Sequence, residues 1–198
     1  MEISIIILCL ILSAFFSGME IAFISSNKIY LELEKKQDSF LSRTLTKLTE
    51  KPSKFIAAML IGNNISLVIY GFFMGELLMR WLLLFNLHFS DITSLLIQTV
   101  ISTVIVLITA EFLPKVFFQI YSNTLIKYLS FPAYIFYKIL NYFSSFVIWI
   151  SDTILTKFFH SLANSQHSLF SKIELENYIN EQISAFDNQE DVDSEIQI

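Results

Sequence analysis

Three long runs of mostly apolar residues, at about 3–24, 55–80 and 92–113, constrain this chain more than any other feature. Each run reaches the length of roughly 20 residues that a helix needs to cross the hydrocarbon core of a bilayer. Hydrophobic residues make up 54% of the 198 residues and charged residues 16%, too few polar groups to cover a soluble domain of this size. The sequence therefore predicts an all-α integral membrane protein with three transmembrane helices.

The first run has an alternative interpretation, a cleaved signal peptide. Such a peptide begins with a positively charged region and ends at a small-residue site before the mature chain. No lysine or arginine precedes this run, and the small residues at 13–18 are followed by more apolar sequence. We therefore expect a retained first span.

The charged residues are distributed unevenly. Residues 27–54 hold seven lysines and arginines against four acids, and residues 171–198 hold eight acids against one lysine. The link at 82–91 has no lysine or arginine. Because positive residues stay on the cytoplasmic side, we predict an outside N-terminus, cytoplasmic helices at 27–52 and a cytoplasmic C-terminus. The expected location is the plasma (inner) membrane, crossed several times.

The segment at 115–160 has two possible placements. It holds 14 of the 30 aromatic residues, and residues 132–150 are apolar enough to form a fourth span. Its polar residues share one helix face, however, and a fourth span would carry the acidic tail outside. These polar residues are Lys138, Asn141, Ser145 and Asp152. We prefer belt helices lying in the membrane interface, within a transmembrane domain at 1–165 that precedes an acidic cytoplasmic helical segment at 166–198.

Polar residues interrupt the apolar runs at helical spacing. They are Ser13, Ser17 and Glu20 in the first run, Asn63, Asn64, Ser66 and Tyr70 in the second, and Glu111 in the third. A carboxylate inside a membrane is costly unless it is paired or faces water, so such residues usually mark a site. The alternative is that serine and asparagine only join helices by hydrogen bonds. We favour that alternative for Ser13 and Ser66, because serine bonds readily to its own helix.

Proline placement adds a further argument. All three prolines, Pro52, Pro114 and Pro132, lie at predicted segment edges, where they can begin or end helices. Within an α-helix, Pro114 leaves the carbonyl of Ala110 without its donor, beside Glu111. At membrane depth something else has to satisfy that oxygen, and a hard cation would do so.

Hydroxyl, amide, carbonyl and carboxylate groups are all oxygen ligands. This set argues against soft metals, but it does not choose among Mg²⁺, Ca²⁺ and Na⁺. The three histidines have no zinc-site spacing. Gly71 and Gly75 form a GxxxG motif, which permits close approach of membrane helices. Chance or packing within the chain explains this motif as often as a dimer does, so it is a weak candidate for a dimer contact.

Three short motifs occur, one in each run: Phe-Phe-Ser-Gly-Met-Glu at 15–20, Gly-Asn-Asn at 62–64 and Glu-Phe-Leu-Pro-Lys at 111–115. In order and placement they resemble the signatures of the CNNM/CorC (CorB) magnesium-transporter transmembrane domain. The resemblance covers roughly residues 1–185. It implies a homodimer of three-span protomers with juxtamembrane helices forming a belt. It also implies that a largely dehydrated Mg²⁺ is bound and moved, with Na⁺ as a candidate coupling ion and efflux as the expected direction.

The resemblance implies ligands at Ser17, Asn63 and Glu111, with the region of Ala110 contributing a backbone oxygen. Three further polar residues are secondary candidates: Asn64, Ser66 and Glu20. For Glu20 we expect a structural hydrogen bond rather than ligation. Two positions depart from the family pattern, because Ala110 replaces a common glycine and Ser66-Leu67 stands where a further asparagine often follows.

Family members continue into CBS nucleotide-binding domains. We therefore expect this chain to be a piece that stops before them, and we expect no nucleotide to bind. The expected partners are the lipid bilayer and a second copy of the chain, not nucleic acid. A non-transporting membrane scaffold or regulator of the same fold is the alternative function. An enzyme is not expected, because the chain has no glycine-rich phosphate loop, nucleophile elbow or HExxH motif.

Overall fold

The computed structural model describes residues 2–37, 39–84 and 90–158. Within these residues the chain is all-α, which confirms the predicted helical fold. The elements are α1 (Glu2–Ser25), α2 (Lys28–Lys35), α3 (Phe40–Thr49), α4 (Pro52–Leu84), α5 (Asp91–Val106), a π-helix (Leu107–Phe112, the π segment), α6 (Leu113–Ile120) and α7 (Ser122–Phe158). The acidic segment predicted at 166–198 and the last residues of the predicted belt lie outside the described residues.

Polar caps explain where several helices begin. The side-chain oxygen of Asn27 accepts hydrogen bonds from the backbone N–H groups of Ile29 and Tyr30 and so starts α2. Ser39 and Ser90 cap α3 and α5 in the same way. These side chains satisfy amide groups that the first turn of a helix leaves without a partner. Short polar side chains therefore lie where these helices begin, between the long apolar runs of the sequence.

Four helical stretches are long and apolar enough to cross a membrane: Glu2–Ser25, Pro52–Leu84, Asp91–Ile120 and Ser122–Ile154. The first three contain the three predicted spans. The fourth is the part of the chain for which the sequence favoured an interfacial belt over a fourth span. Length and composition do not separate these two placements, so the count of three spans stays a prediction.

The chain divides into two units, Met1–Ile148 and Trp149–Ile198. The first unit holds α1 to α6 and most of α7. The second is described only as far as Phe158, where α7 ends.

The core of the first unit forms where α1 packs along α4. One buried cluster contains apolar side chains from α1, α2, α3, α4 and α7. Its buried members are Phe16, Met19, Ala22, Leu31, Leu45, Leu48, Phe55, Ala58, Met59, Ile126, Ala133 and Leu140. A smaller cluster lies nearer the N-terminal end of α1 and contains Ile6, Cys9, Tyr70 and Met74. Ser13 of α1 and Asn63 of α4 lie along the chain between members of the two clusters.

Pro132 lies inside the 37-residue helix α7, so the expectation that it marks a segment edge is wrong. A proline in a helix interior removes one backbone hydrogen bond and costs about 3 kcal/mol in isolation. Its neighbours on the inner face, Ser130 and Ala133, are both fully buried. Packing on both sides of Pro132 therefore holds the helix continuous.

The N-terminal half of α7 is tied to the loop and helices between α1 and α4. The hydroxyl of Ser122 donates to the carbonyl of Ser25 at 3.3 Å, and the backbone N–H of Asn27 donates to the side chain of Asn123 at 2.9 Å. Further along, the aromatic ring of Phe136 packs edge-on against Phe16 of α1, with the ring centroids 4.9 Å apart. These contacts fix α7 against the end of α1 where α2 begins.

Candidate cation site

A hydrogen bond between two buried side chains joins α1 to α4. The hydroxyl of Ser13 donates to Oδ1 of Asn63 at 2.6 Å, and the two residues are 0% and 6% exposed. Gly62 explains how α1 comes so close, because a Cβ atom there would lie 2.8 Å from the ring of Phe16. The Gly-Asn pair therefore combines a close helix approach with an amide oxygen in the interior.

Ser17 lies one helical turn beyond Ser13 on the same face of α1. It is 0% exposed, and its hydroxyl oxygen has no hydrogen-bond partner among the described residues. The neighbouring Gly18 presses α1 against α6, since a Cβ there would lie 2.5 Å from the ring of Phe118. A buried hydroxyl left unpaired costs about 1–3 kcal/mol, so a ligand atom beside Ser17 would be favoured.

The third helical stretch changes register just before the predicted carboxylate ligand. Residues Leu107–Phe112 form a π-helix, in which the N–H of Leu113 donates to the carbonyl of Ile108, five residues earlier. The sequence predicted an ordinary α-helix here, in which Pro114 leaves the carbonyl of Ala110 free. In the π register the residue five places before Pro114 is Thr109, so the missing proline N–H affects the Thr109 carbonyl as well.

The two candidate ligands of the π segment differ in exposure. Ala110 is 0% exposed, and Glu111 is partly buried. Within the described residues, the Glu111 carboxylate forms no hydrogen bond or ion pair, and none joins it to Ser17 or Asn63. Helix α1 nevertheless packs against both α4 and the π segment. The structure thus joins Ser13 to Asn63 directly, and α1 contacts both the helix that carries Asn63 and the π segment that carries Glu111.

The secondary candidates have different environments. Asn64 is exposed on α4. The hydroxyl of Ser66 donates to the carbonyl of Gly62 at 2.9 Å, one turn back in its own helix. Glu20 is partly buried, and among the described residues it makes no hydrogen bond or ion pair, so the structural hydrogen bond expected for it is not seen there.

The two glycines of the GxxxG motif do not share an environment. A Cβ at Gly75 would collide with the side-chain amide of Gln98 on α5, whereas a Cβ at Gly71 would meet nothing within 4 Å. Gly75 therefore serves packing between α4 and α5 of one chain. Gly71 faces open space.

Any cation site in the described residues has to be built mainly from neutral oxygens. The described residues contain no group of three or more His, Cys, Asp or Glu side chains that could hold a metal ion. Mg²⁺ often takes one or two carboxylates and keeps several waters. One carboxylate at Glu111, the hydroxyl of Ser17, the amide oxygen of Asn63 and backbone oxygens of the π segment fit that requirement.

Two features of this region went beyond the sequence prediction. The sequence favoured a helix-joining role for Ser13 without naming its partner, which is Asn63 on α4. The spacing of four residues between Ser13 and Ser17, which puts both on one face, was the available signal. The sequence also did not predict the open carbonyl of Thr109, because in an α-helix a proline leaves only the carbonyl four residues earlier without its donor.

Comparisons with known proteins agree with the motifs. A family model described as the cyclin M (CNNM) transmembrane N-terminal domain matches residues 4–191. A "UPF0053 protein" of Haemophilus influenzae is 41% identical to this chain over 61 residues. That alignment spans 31% of this chain and 14% of the relative. Since the family model covers nearly the whole chain, the chain belongs to the CNNM transmembrane-domain family, which is associated with Mg²⁺ transport across membranes or a related function.

Proposed function

We propose that this chain is the membrane domain of a Mg²⁺ transporter that binds a largely dehydrated ion between its spans. Ser17, Asn63 and Glu111 are the side-chain ligands, and the π segment supplies backbone oxygen near Ala110. Efflux as the direction and Na⁺ as the coupling ion rest on the family resemblance.

The observation that carries this proposal is the unpartnered hydroxyl of Ser17. It is fully buried and lies one turn from the Ser13–Asn63 hydrogen bond. It also belongs to the helix that packs against the π segment. Proteins rarely leave a buried polar atom without a partner unless a ligand or water satisfies it. A cation held beside Ser17 would satisfy the hydroxyl oxygen and the open backbone carbonyls together.

The ligand set also suits transport rather than permanent storage. A conducted ion has to bind well enough to enter and weakly enough to leave. Glu111 supplies the single negative charge, while Ser17 and Asn63 replace part of the hydration shell with neutral oxygens. More carboxylates would hold the ion more tightly and slow its release.

We further propose three spans, with α7 lying along the cytoplasmic membrane surface. Tyr134 lies about 18 Å along α7 from Ser122, at 1.5 Å per residue. The ammonium group of Lys47 on α3 lies 5.3 Å from the centre of its ring. If α7 crossed the bilayer from Ser122 inwards, this ammonium would be near the middle of a core about 30 Å thick, where a charge is expensive. An interfacial α7 keeps Lys47 near water.

The chain is proposed to act as a homodimer. Helix α5 and the π segment expose most of their apolar side chains in a single chain, including Leu96, Val100 and Leu107. Lipid or a second copy has to cover them. Gly71 stays a weak candidate for the dimer contact. Its face of α4 is open, since a Cβ there would meet nothing within 4 Å, and a second chain could approach it. If mass measurement in detergent gives a dimer for both parent and Gly71→Leu, the dimer stands and Gly71 is not its seam. Monomer alone for the parent would contradict the dimer.

Calorimetry with Mg²⁺ on purified protein tests the ion site. Glu111→Ala should abolish binding, because it removes the only charge in the set. Asn63→Ala should weaken binding strongly, and Ser17→Ala should weaken it less, since water can replace a hydroxyl. Glu111→Gln, which keeps the side-chain shape, guards against a variant that simply fails to fold.

Glu20→Gln is the matched control, since it also neutralises a partly buried carboxylate within a proposed span. We expect it to bind Mg²⁺ like the parent. If Glu111→Ala and Glu111→Gln both bind Mg²⁺ like the parent, the site lies elsewhere. The hypothesis of a membrane scaffold or regulator without transport would then be preferred.

A further inference from the structure

Tyr70 is a polar residue of α4 to which the proposed ligand set gives no role. It is 2% exposed, and its hydroxyl donates a 3.2 Å hydrogen bond to the backbone carbonyl of Ser102 on α5. It belongs to the buried cluster that includes Ile6 and Cys9 of α1, with Ile105 packed against that cluster. Three helices therefore meet at Tyr70.

The position of the Ser102 carbonyl gives this hydrogen bond its significance. Helix α5 ends at Val106, so Ser102 lies in the last α-helical turn before the π segment. A carbonyl oxygen has two lone pairs and can accept a side-chain donor in addition to its helical partner. The bond thus fixes the height and rotation of α5 immediately before the chain enters the π register.

On α4, Tyr70 shares a helix face with Asn63, seven residues earlier. One side chain therefore joins the helix that carries Asn63 to the helix that leads into Glu111. A second contact keeps the two helices aligned, because Gly75 lies against the side chain of Gln98. The two contacts are five residues apart on α4 and four apart on α5, as expected for antiparallel helices packed over more than one turn.

We propose that Tyr70 is a positioning residue that sets the register of the π segment against Asn63 and thereby tunes affinity for a divalent cation. The ion-binding half of this proposal rests on the proposed function. The simpler possibility is that any nearby carbonyl satisfies a buried tyrosine hydroxyl and that its loss affects stability alone. These two possibilities predict different backbone stability at residues 107–112 and different affinity for the ion.

Tyr70→Phe removes the hydroxyl and keeps the ring. The matched control is Ser122→Ala, which also removes a hydroxyl-to-carbonyl bond between two elements, from Ser122 to Ser25 at 3.3 Å, away from the π segment. Amide hydrogen exchange, measured without Mg²⁺ on peptides covering residues 103–113, reports on the π segment. Calorimetry with Mg²⁺ reports on affinity. Melting temperature in ion-free buffer monitors overall stability.

We expect Tyr70→Phe to exchange faster in residues 103–113 and to bind Mg²⁺ about two- to tenfold more weakly, as the loss of one hydrogen bond implies. Ser122→Ala should change neither quantity. Unchanged exchange in Tyr70→Phe overturns the proposal, as does an equal loss of affinity in Ser122→Ala. If the parent binds no Mg²⁺, the proposed function fails. The exchange measurement then decides by itself whether Tyr70 positions the π segment.

Discussion

The Ser13 hydroxyl hydrogen-bonds to Oδ1 of Asn63, the same atom that the proposed cation site requires from Asn63. An amide oxygen has two lone pairs, so it can accept from Ser13 and bind an ion together. Ser13 also fixes the orientation of the amide, because it holds the oxygen rather than the NH₂ group towards α1. A residue that joins two helices therefore also orients a proposed ligand.

Ser13→Ala should lower the free energy of unfolding by about 1 kcal/mol, the usual size of a hydrogen bond between membrane helices. It should also weaken Mg²⁺ binding, since the Asn63 amide becomes free to turn. Ser66→Ala is the control for stability, because the Ser66 hydroxyl bonds only to its own helix and its loss should cost less. Unfolding in denaturing detergent compares the two variants. Equal losses of stability would mean that the hydrogen bond between Ser13 and Asn63 stabilises the protein no more than the bond that Ser66 makes within its own helix.

Gly18 and Gly71 predict opposite results for the same substitution. Gly18→Ala places a Cβ 2.5 Å from the ring of Phe118, and overpacking of this kind typically costs about 1–3 kcal/mol. Gly71→Ala meets nothing within 4 Å, so it should be neutral, or stabilising by up to about 1 kcal/mol through helix propensity. Melting temperatures in detergent test both. A Gly18→Ala variant as stable as the parent would show that the Phe118 ring moves aside at little cost.

The glycines also show what the sequence could predict and what it could not. The apolar runs predicted the membrane-length helices, because hydropathy depends on composition over many residues. The separate roles of Gly71 and Gly75 depend on which neighbour faces each one, and Gln98 is distant in sequence from Gly75. A motif alone does not carry that information.

For the proposed site, the sequence shows the residue types but not the backbone geometry. Oxygen donors at Ser17, Asn63 and Glu111 stand out against apolar surroundings. The π register at 107–112 leaves no hydropathy signal, because it shifts hydrogen bonds without changing side chains. Pro114 was the available clue, and it was interpreted in the α-helical register.

The ion pair between Lys127 of α7 and Glu34 of α2 predicts an asymmetric mutational response. Nζ of Lys127 lies 2.6 Å from Oε1 of Glu34. The Glu34 side chain is 4% exposed, whereas the Lys127 side chain is 27% exposed. Lys127→Met should lower the melting temperature more than Glu34→Gln, because it leaves a buried carboxylate without its cation. With Glu34 neutralised, Lys127 can still reach water.

The exposed pair between Lys35 and Glu32 is the control for that comparison, and Glu32→Gln should change the melting temperature little. The double variant, Glu34→Gln with Lys127→Met, should be more stable than Lys127→Met alone. If Lys127→Met is no less stable than Glu34→Gln, the buried carboxylate is already satisfied by other groups.

The placement of α7 can be decided by cysteine labelling in intact cells, in a Cys9→Ala background. If α7 lies on the cytoplasmic surface, single cysteines at Lys138 and Asp152 should both resist an impermeant thiol reagent added outside and react once the cells are opened. If α7 crosses the membrane, the two positions should differ, because Asp152 would be near the outer face. Two positions calibrate the assay: a cysteine at Asn86, which lies outside the described residues, should react from outside, and one at Lys36 should not.

The expected cytoplasmic placement of α7 follows from the position of Lys47 over the ring of Tyr134. A helix that contacts a charged side chain at this point is expected to lie where water can reach the charge. Labelling of Asp152 from outside would replace the three-span model with four spans, and labelling of Lys36 from outside would reverse the predicted orientation.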